Sequence, residues 1–295
     1  MRPVPTVGDP VARPGRIRGG RLFAALRLRK YVLVCVGVVV AYALVALAGY
    51  AGLLPDFQER VGASYEPPSW HLSRILGTDI FGRSVLYKVL VGTQTAMTIG
   101  FVVAAISIPI GVVLGAVAGY YGGKVDAAVV WVYSVITSIP SILLIIAIAH
   151  VLGKGIGSVC LALGVVGWVG LCRLVRGEVL KQKGREYVLA ARLIGASDLR
   201  IIWRHILPNV LHLPIVTASL SILGAIKSEV ILTFLGVGIE NGESWGAMIQ
   251  DATGELAQGI WWPLAGVTVA MFAIIYALNV SGDALRDALD PRLSD

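Results

Sequence analysis

The apolar residues of this chain come in long blocks, not at strand or amphipathic-helix intervals. No Asp, Glu, Lys or Arg occurs from Tyr31 to Pro55, from Val89 to Gly123, from Ala127 to Gly153, from Gly155 to Cys172 or from Leu256 to Gly282. Each run is near or above the ~18 to 20 residues that a helix needs to cross the hydrocarbon of a bilayer. A further apolar stretch starts near Asn209 and is interrupted by Lys227 and Glu229. The simplest reading is an all-α polytopic membrane protein with six transmembrane helices. The second span is expected over about Ala96–Tyr120, the fourth over Ile156–Cys172 and the sixth over Pro263–Val280.

One stretch breaks this pattern. Between the fourth and fifth spans, residues Arg185–Asn209 predict two short helices joined by a bend. On the first, about Glu186 to Ile194, the small residues Ala190, Ala191 and Gly195 lie one turn apart, which permits close approach of another surface. Gly195 supplies the bend, and Ser197 or Asp198 is placed to cap the second helix. There Leu199, Ile202, Trp203 and Ile206 follow helical spacing and predict one apolar stripe. Arg200 and Arg204 point elsewhere, and Pro208 is expected to end the helix.

Composition agrees with the blocks. The 295 residues are 56% hydrophobic and 15% charged, where a soluble domain carries about 25% charge. The net charge of +7 raises the question of nucleic acid, but its placement is a topology signal. Eight basic residues and one acid precede the first span, and eight basic residues and three acids lie between Arg173 and Asn209. The stretch after Phe234 carries Glu240, Glu243, Asp251 and Glu255 with no nearby Lys or Arg. The positive-inside rule then places both termini and the central loop in the cytoplasm, with anionic membrane lipid as a secondary partner and nucleic acid as none. The first apolar run is too long for a signal-peptide core, so an uncleaved first span is expected. Cys35, Cys160 and Cys172 sit in apolar runs without CxxC spacing and read as packing residues.

Several local signals lie inside the blocks. Gly77 and Gly82 bracket a turn in which Asp79 and Arg83, four apart, can pair. Gly111, Gly115 and Gly119 recur every four residues, the small-xxx-small pattern of close helix contact, within one subunit or between two. Ser134, Thr137, Ser138 and Pro140 place hydroxyls and a kink mid-span, which line a pathway or satisfy a buried kink. Ser221, Lys227 and Glu229 are polar positions in the fifth span. The two charges sit at the interface, pair across helices or border a water-filled path. Gly236 and Gly238 break the helix and suggest a short re-entrant piece. Trp245, Trp261 and Trp262 suit an aromatic belt.

Four of these segments, in order, resemble one family. Ala190-Ala-Arg-x-x-Gly-Ala-Ser197, followed by Ile206-Leu-Pro208, resembles the EAA loop of the membrane subunits of ABC importers. Glu186-Tyr-Val-x-Ala-Ala-Arg192 is closest to the dipeptide and oligopeptide branch. Leu189 stands at the first signature position, which is often Glu elsewhere in the family. Leu76-Gly-Thr-Asp-Ile-Phe-Gly-Arg83 resembles a second motif of that branch, with Ser84 in place of its usual Asp. Glu229-Val-Ile-Leu-Thr-Phe-Leu-Gly236 with Ser244-Trp-Gly246 resembles a third. Gly282-Asp-Ala-Leu-Arg-Asp-Ala-Leu-Asp-Pro-Arg292 is a nearly complete match to a fourth. The resemblance implies a permease subunit with the type I ABC importer transmembrane fold in the cytoplasmic (inner) membrane. The implied substrates are di- or oligopeptides. Implied partners are a second homologous permease subunit, one or two ABC ATPase subunits and an extracytoplasmic solute-binding protein. It also implies that Arg185, Glu186, Tyr187, Ala190, Ala191, Arg192, Gly195, Ala196, Ser197 and Pro208 couple the chain to the ATPase.

The chain carries no Gly-x-x-x-x-Gly-Lys-Ser/Thr, no His/Cys/Asp/Glu cluster at metal-ligand spacing and no Gly-x-Ser-x-Gly elbow. A non-enzymatic transport subunit is therefore expected, with no bound cofactor and with ATP and Mg on the partner subunits. The segments expected are a basic tail (1–30), a first span with its external loop (31–92), a permease domain (93–283) holding the coupling loop (173–209), and a C-terminal tail (284–295). The competing reading is an ion-coupled secondary transporter or channel acting without an ATPase. That architecture typically carries internal repeats, and none is evident in the sequence.

Overall fold

The computed structural model describes residues 30–153, 155–239 and 242–289. The basic tail before Lys30, Glu240 and the Asp290-Pro-Arg292 end of the last motif lie outside the described residues. In lipid each backbone N–H and C=O must find its partner within its own segment, and the uncharged runs fold accordingly as helices. These are α1 (Lys30–Tyr50), α2 (Val85–Tyr121), α3 (Gly123–Ser138), α4 (Ser141–Leu152), α5 (Ile156–Gly167), α6 (Val169–Lys183), α7 (Glu186–Leu193), α8 (His212–Phe234), α9 (Trp245–Leu256) and α10 (Trp262–Leu289). Between α7 and α8 the chain continues through short helical pieces over Asp198–Val210.

Among the described residues five helical runs are long and apolar enough to span a bilayer: α1, α2, α5 with α6, α8 and α10. The pair α3–α4 makes a sixth, bent by 90°. The third span is thus a broken rod and not the kinked helix expected from Pro140. The residue before a proline is pushed out of the α region, and Ile139 is extended at φ −96° and ψ 135°. Two further boundaries move. The fourth span runs past Cys172 to Lys183, so the first third of the expected loop 173–209 is helix. α2 starts at Val85 and is 37 residues long, so the division expected at 92/93 falls inside it.

α2 is the axis of the bundle. Its Gly111, Gly115 and Gly119 lie against the backbone of the α5–α6 run. A Cβ added at these three positions would stand 2.9, 2.7 and 2.8 Å from the carbonyl oxygens of Trp168, Cys172 and Arg176. The glycine repeat therefore serves close packing within one subunit. Arg176 also reaches α3, where Nη2 donates to Asp126 Oδ2 at 2.7 Å. A separate core joins α1, α2, α8, α9 and α10 around the fully buried Trp245. That indole donates to the Val89 carbonyl at 3.2 Å. Gly92 makes room for it, since a Cβ there would sit 2.6 Å from the ring. Trp245 is accordingly a core residue and not part of an aromatic belt; Trp261 is exposed and Trp262 is half-buried. All three cysteines are buried and free.

The bundle has two ends. One carries the turn around Asp79 and the start of α2; the other carries α7 and the end of α2. They are called here the Asp79 end and the Glu186 end.

Candidate functional site

At the Glu186 end the chain leaves α6, turns at Gly184 and enters α7, whose 8 residues include both alanines of the signature. The bend after α7 is closed by the paired bonds of a Schellman motif. Ala196 N–H donates to the Ala191 carbonyl and Gly195 N–H to the Arg192 carbonyl, both at 3.0 Å. Gly195 sits at φ +83°, where a side chain would be strained, and a Cβ added there meets nothing within 4 Å. The second limb differs from expectation. Ser197 precedes the helix but its hydroxyl makes no cap; its carbonyl takes the Ile201 N–H at 2.9 Å. Residues Ile201–Ile206 are π-helical, and Pro208 lies in the first turn of Leu207–Val210 without ending the helix.

The wider π turn shifts which residues share a face. Instead of the stripe Leu199, Ile202, Trp203 and Ile206, the buried set is Ile201, Ile202, Ile206, Leu207 and Val210. These pack with Val188 and Ala191 of α7 against Ala116 and Tyr120 of α2 and Leu171, Val175 and Val179 of α6. Leu199 and Trp203 are turned outward, 64% and 56% exposed, beside Leu193 and Ile194 at 88% and 85%. The bend thus presents an apolar tip on a rigid mount. Tyr120 is the main brace. Its hydroxyl donates to Asp198 Oδ1 at 2.6 Å and accepts from Arg192 Nη2 at 3.2 Å. On the other side, Tyr187 OH donates to Gln182 Oε1 at 2.8 Å, and Asn209 Nδ2 donates to the His205 carbonyl at 2.7 Å.

A groove of about 450 Å³ opens on the flank of the bundle between α2, α4, the α5–α6 run and α8. Ser107, Ser141, Thr217, Ser221 and Ser228 give it hydroxyls, and Gly167, Gly170 and Gly224 give it width. Lys227 follows Gly224 by one turn on α8 and is exposed. It forms no hydrogen bond or ion pair with any described residue. Glu229, two residues on, faces the other way and is fully buried; Thr233 Oγ1 donates to its Oε1 at 2.9 Å. The two charges of this span do not pair with each other.

At the Asp79 end the expected turn is present, with Gly77 at φ +77° and Gly82 at φ +74°. Asp79 Oδ1 accepts the backbone N–H groups of Phe81 and Arg83, both at 2.9 Å. Its Oδ2 accepts Arg83 Nε at 2.8 Å. Ser84 accepts the Tyr87 N–H at 3.3 Å and caps α2, a role that fits a hydroxyl at this position. Lys88, 4% exposed, has its ammonium 3.4 Å from Asp79, 3.1 Å from Glu243 and 3.9 Å from Asp251. Burial pushes the carboxyls of Glu243 and Glu255 upward, with Lys88 opposing the shift in both. The long connections 51–84 and 235–244 are tied to the helices here by Trp262 Nε1 donating to the Thr78 carbonyl and Thr95 Oγ1 to the Glu243 carbonyl, at 3.0 and 2.9 Å.

The comparisons decide what such a chain is. Residues 111–295 match the model of the binding-protein-dependent transport system inner membrane component family. The chain belongs to this family. It is 40% identical to the dipeptide transport system permease protein DppC of Bacillus subtilis over 228 residues, covering 77% of this chain and 71% of that one. It is 33% identical to the oligopeptide transport system permease protein OppC of the same species, covering 92% and 89%. It is 34% identical to the glutathione transport system permease protein GsiD of Pectobacterium atrosepticum, covering 96% and 95%. A chain of the MetNI methionine ABC transporter, solved in an inward-facing form, shares the fold at a TM-score of 0.51 and 20% identity, covering 70% of this chain and 94% of that chain. The protein is a permease subunit of an ABC importer with the type I transmembrane fold, and this disfavours the ion-coupled carrier.

The permease places its sequence-selected residues in two groups. Arg185, Glu186, Tyr187, Ala190, Arg192, Gly195, Ser197 and Pro208 are exposed on the Glu186 end, Ala196 is half-buried, and Ala191 is buried in the loop's own core. Sequence reasoning did not place Leu189, Leu193 and Ile194 among the coupling residues, and it grouped Leu199 and Trp203 with Ile202 and Ile206 on one stripe, which the structure divides. Along the fifth span, Ser221 lines the groove and Lys227 lies beside it. Ser134, Thr137, Ser138 and Pro140 are exposed on the bent pair and are not among the residues lining the groove. There Thr137 Oγ1 donates to the Tyr133 carbonyl at 2.9 Å and accepts from Arg173 Nη2 at 3.1 Å.

Proposed function

We propose that this chain is one half of the translocation pathway of a peptide importer. A second, homologous permease chain supplies the other half. ABC ATPase subunits hold the ATP and Mg, a solute-binding protein outside the membrane delivers the peptide, and this chain binds no cofactor of its own. The Glu186 end and both termini face the cytoplasm, as the basic residues around Arg173–Asn209 suggest. The peptide class rests on the relatives named for dipeptide, oligopeptide and glutathione transport.

The observation that carries the coupling role is the apolar tip at Leu193 and Ile194. Two adjacent aliphatic side chains exposed in water on a braced bend are a docking knob awaiting a hydrophobic hole. The mount explains how movement passes inward. The loop core packs on α2 and α6, and those helices are locked by the glycine contacts. ATP-driven closure of the ATPase pair would then displace the tip and rock the α2–α6 unit as one body. Gly195 is a poor position for a test, because its positive φ penalises any side chain whether or not a partner is present. The double substitution Leu193→Asp with Ile194→Asp avoids that. The tagged permease is purified in mild detergent from cells expressing the whole importer, and ATPase activity and labelled dipeptide uptake are measured. ATPase co-purifying with the wild type and lost with the variant, with uptake abolished, supports the reading. Undiminished ATPase recovery from the variant refutes the docking assignment.

A further inference from the structure

Two lysines sit inside the apolar helices of this bundle. Lys88 is enclosed and surrounded by carboxylates. Lys227 is exposed, has no partner among the described residues, and stands seven positions before the end of the 23-residue α8. About 10 Å of helix, at 1.5 Å per residue, separates it from that end. An ammonium at this depth is not a lipid-facing group: membrane charges face the bundle interior or a water-filled cavity, and they mark substrate pathways. Lys227 is not itself among the residues lining the groove, but its neighbour Ser228 and Gly224, one turn before it, both line it, which sets Lys227 beside the groove.

The groove has the size of a small-molecule site, where about 300 to 1,000 Å³ is usual. Its polar groups are hydroxyls, which both donate and accept, and no carboxylate lines it. Such a lining suits a peptide backbone of any sequence. It provides nothing that fixes polarity except the ammonium beside it. Every unmodified peptide carries one terminal carboxylate whatever its side chains, and that is the group Lys227 complements. We infer that Lys227 binds the C-terminal carboxylate of the peptide in transit, a recognition of free-acid peptides made by the permease itself. This rests on the peptide-importer reading above. It gives the chain a substrate-contacting residue for which the groove, mostly apolar with five hydroxyl residues, supplies the rest of the site.

The test uses the complete importer, with permease pair, ATPases and binding protein, in proteoliposomes. Uptake of trialanine is compared with uptake of trialanine amide for wild type, Lys227→Met and Lys227→Arg. The binding protein is the same throughout, so its own preference cancels when the acid-to-amide ratio is compared between variants. Loss of one charge-assisted contact corresponds to about a tenfold change. Lys227→Met is expected to lower trialanine uptake about tenfold and amide uptake less than about twofold, while Lys227→Arg keeps most of the wild-type ratio. ATP hydrolysis stimulated by the loaded binding protein reports that each variant is assembled. Equal loss on both substrates overturns the inference in favour of a pair between Lys227 and an acid on the second permease chain. An unchanged ratio overturns it as well. If wild type takes up neither peptide on ATP addition, the peptide reading fails and the inference falls with it.

Discussion

At the Asp79 end a cluster of charges is folded inward around Lys88, while Trp70, Leu72, Ile80 and Phe81 stay exposed. Asp79, Glu243, Asp251 and Glu255 surround Lys88 and Arg83, and Trp245 and Trp262 close over the backbone that holds them. At the Glu186 end the charges stay outside. Arg185, Glu186, Arg200 and Arg204 are left in solvent, and Leu193, Ile194, Leu199 and Trp203 are exposed with them. The first end pairs its buried charges within the chain. The second buries only enough apolar surface to fix its own shape and holds out the remainder. A buried charge is costly unless paired, and an exposed apolar tip is costly unless covered, so the two ends assign their costs differently. One is met within the chain, the other by a partner.

The sharpest way to break this comparison is Lys88→Met. Removing one member of a buried ionic cluster leaves the others uncompensated and costs about 3 to 5 kcal/mol. The expected result is a large fall in the thermal midpoint of the detergent-solubilised protein. Lys88→Met with Glu243→Gln should recover a good part of the loss, because the opposing charge is then gone. If the single variant melts with wild type, the cluster is not what holds the Asp79 end closed.

At the other end the corresponding change has an opposite profile. Leu193→Asp with Ile194→Asp alters side chains already in solvent, so the melting midpoint should stay within about 0.5 kcal/mol per site of wild type while ATPase recovery and uptake collapse. Tyr120→Phe falls between the two. It deletes the hydroxyl that joins Asp198 and Arg192 and leaves the ring in the core. A loss of about 1 to 3 kcal/mol in local stability is expected. Amide hydrogen exchange across residues 186–210 should quicken while exchange in α8 and α10 stays as it was. Unchanged exchange in the loop would show that the tip is mounted by packing alone.

Much of this was legible before any coordinates. Charge-free runs specify spans because the bilayer penalises charge more than any local propensity rewards structure. The turn at Asp79 and the bend at Gly195 were legible because glycine in the positive-φ region leaves a mark in the sequence. What was not legible depends on packing between distant segments. Nothing local distinguishes Trp245, buried over Gly92, from Trp261, which is exposed. The π turn over Ile201–Ile206 satisfies a helical hydrophobic pattern and then rotates it, so the single stripe expected is divided, with Ile202 and Ile206 buried and Leu199 and Trp203 exposed. The 90° break at Ile139–Pro140 was visible as a proline but not as an angle. Nothing in the sequence around Lys88 marks it as the centre of a cluster, because its carboxylates come from segments up to about 160 positions away.

The smallest effect expected is a pH dependence confined to the Asp79 end. Burial raises the carboxyls of Glu243 and Glu255 above the usual 4.5, while Lys88 acts in the opposite sense on both. A carboxyl raised in the folded state binds its proton more tightly there than in the unfolded chain. Its contribution to stability is therefore present at and below the ordinary carboxylate value and is lost as pH rises through the raised one. Asp79, Arg83 and Asp251 share the cluster and move the window without changing this sign. The thermal midpoint should fall modestly as pH rises above the ordinary carboxylate value, and Glu255→Gln should flatten that slope because it removes one of the two titrating groups. The same slope measured by hydrogen exchange should be seen in residues 61–90 and be absent from residues 186–210, at the other end of the bundle. A slope of equal size in both regions would mean that the Asp79 end is not the isolated, internally balanced unit that its ion pairs describe.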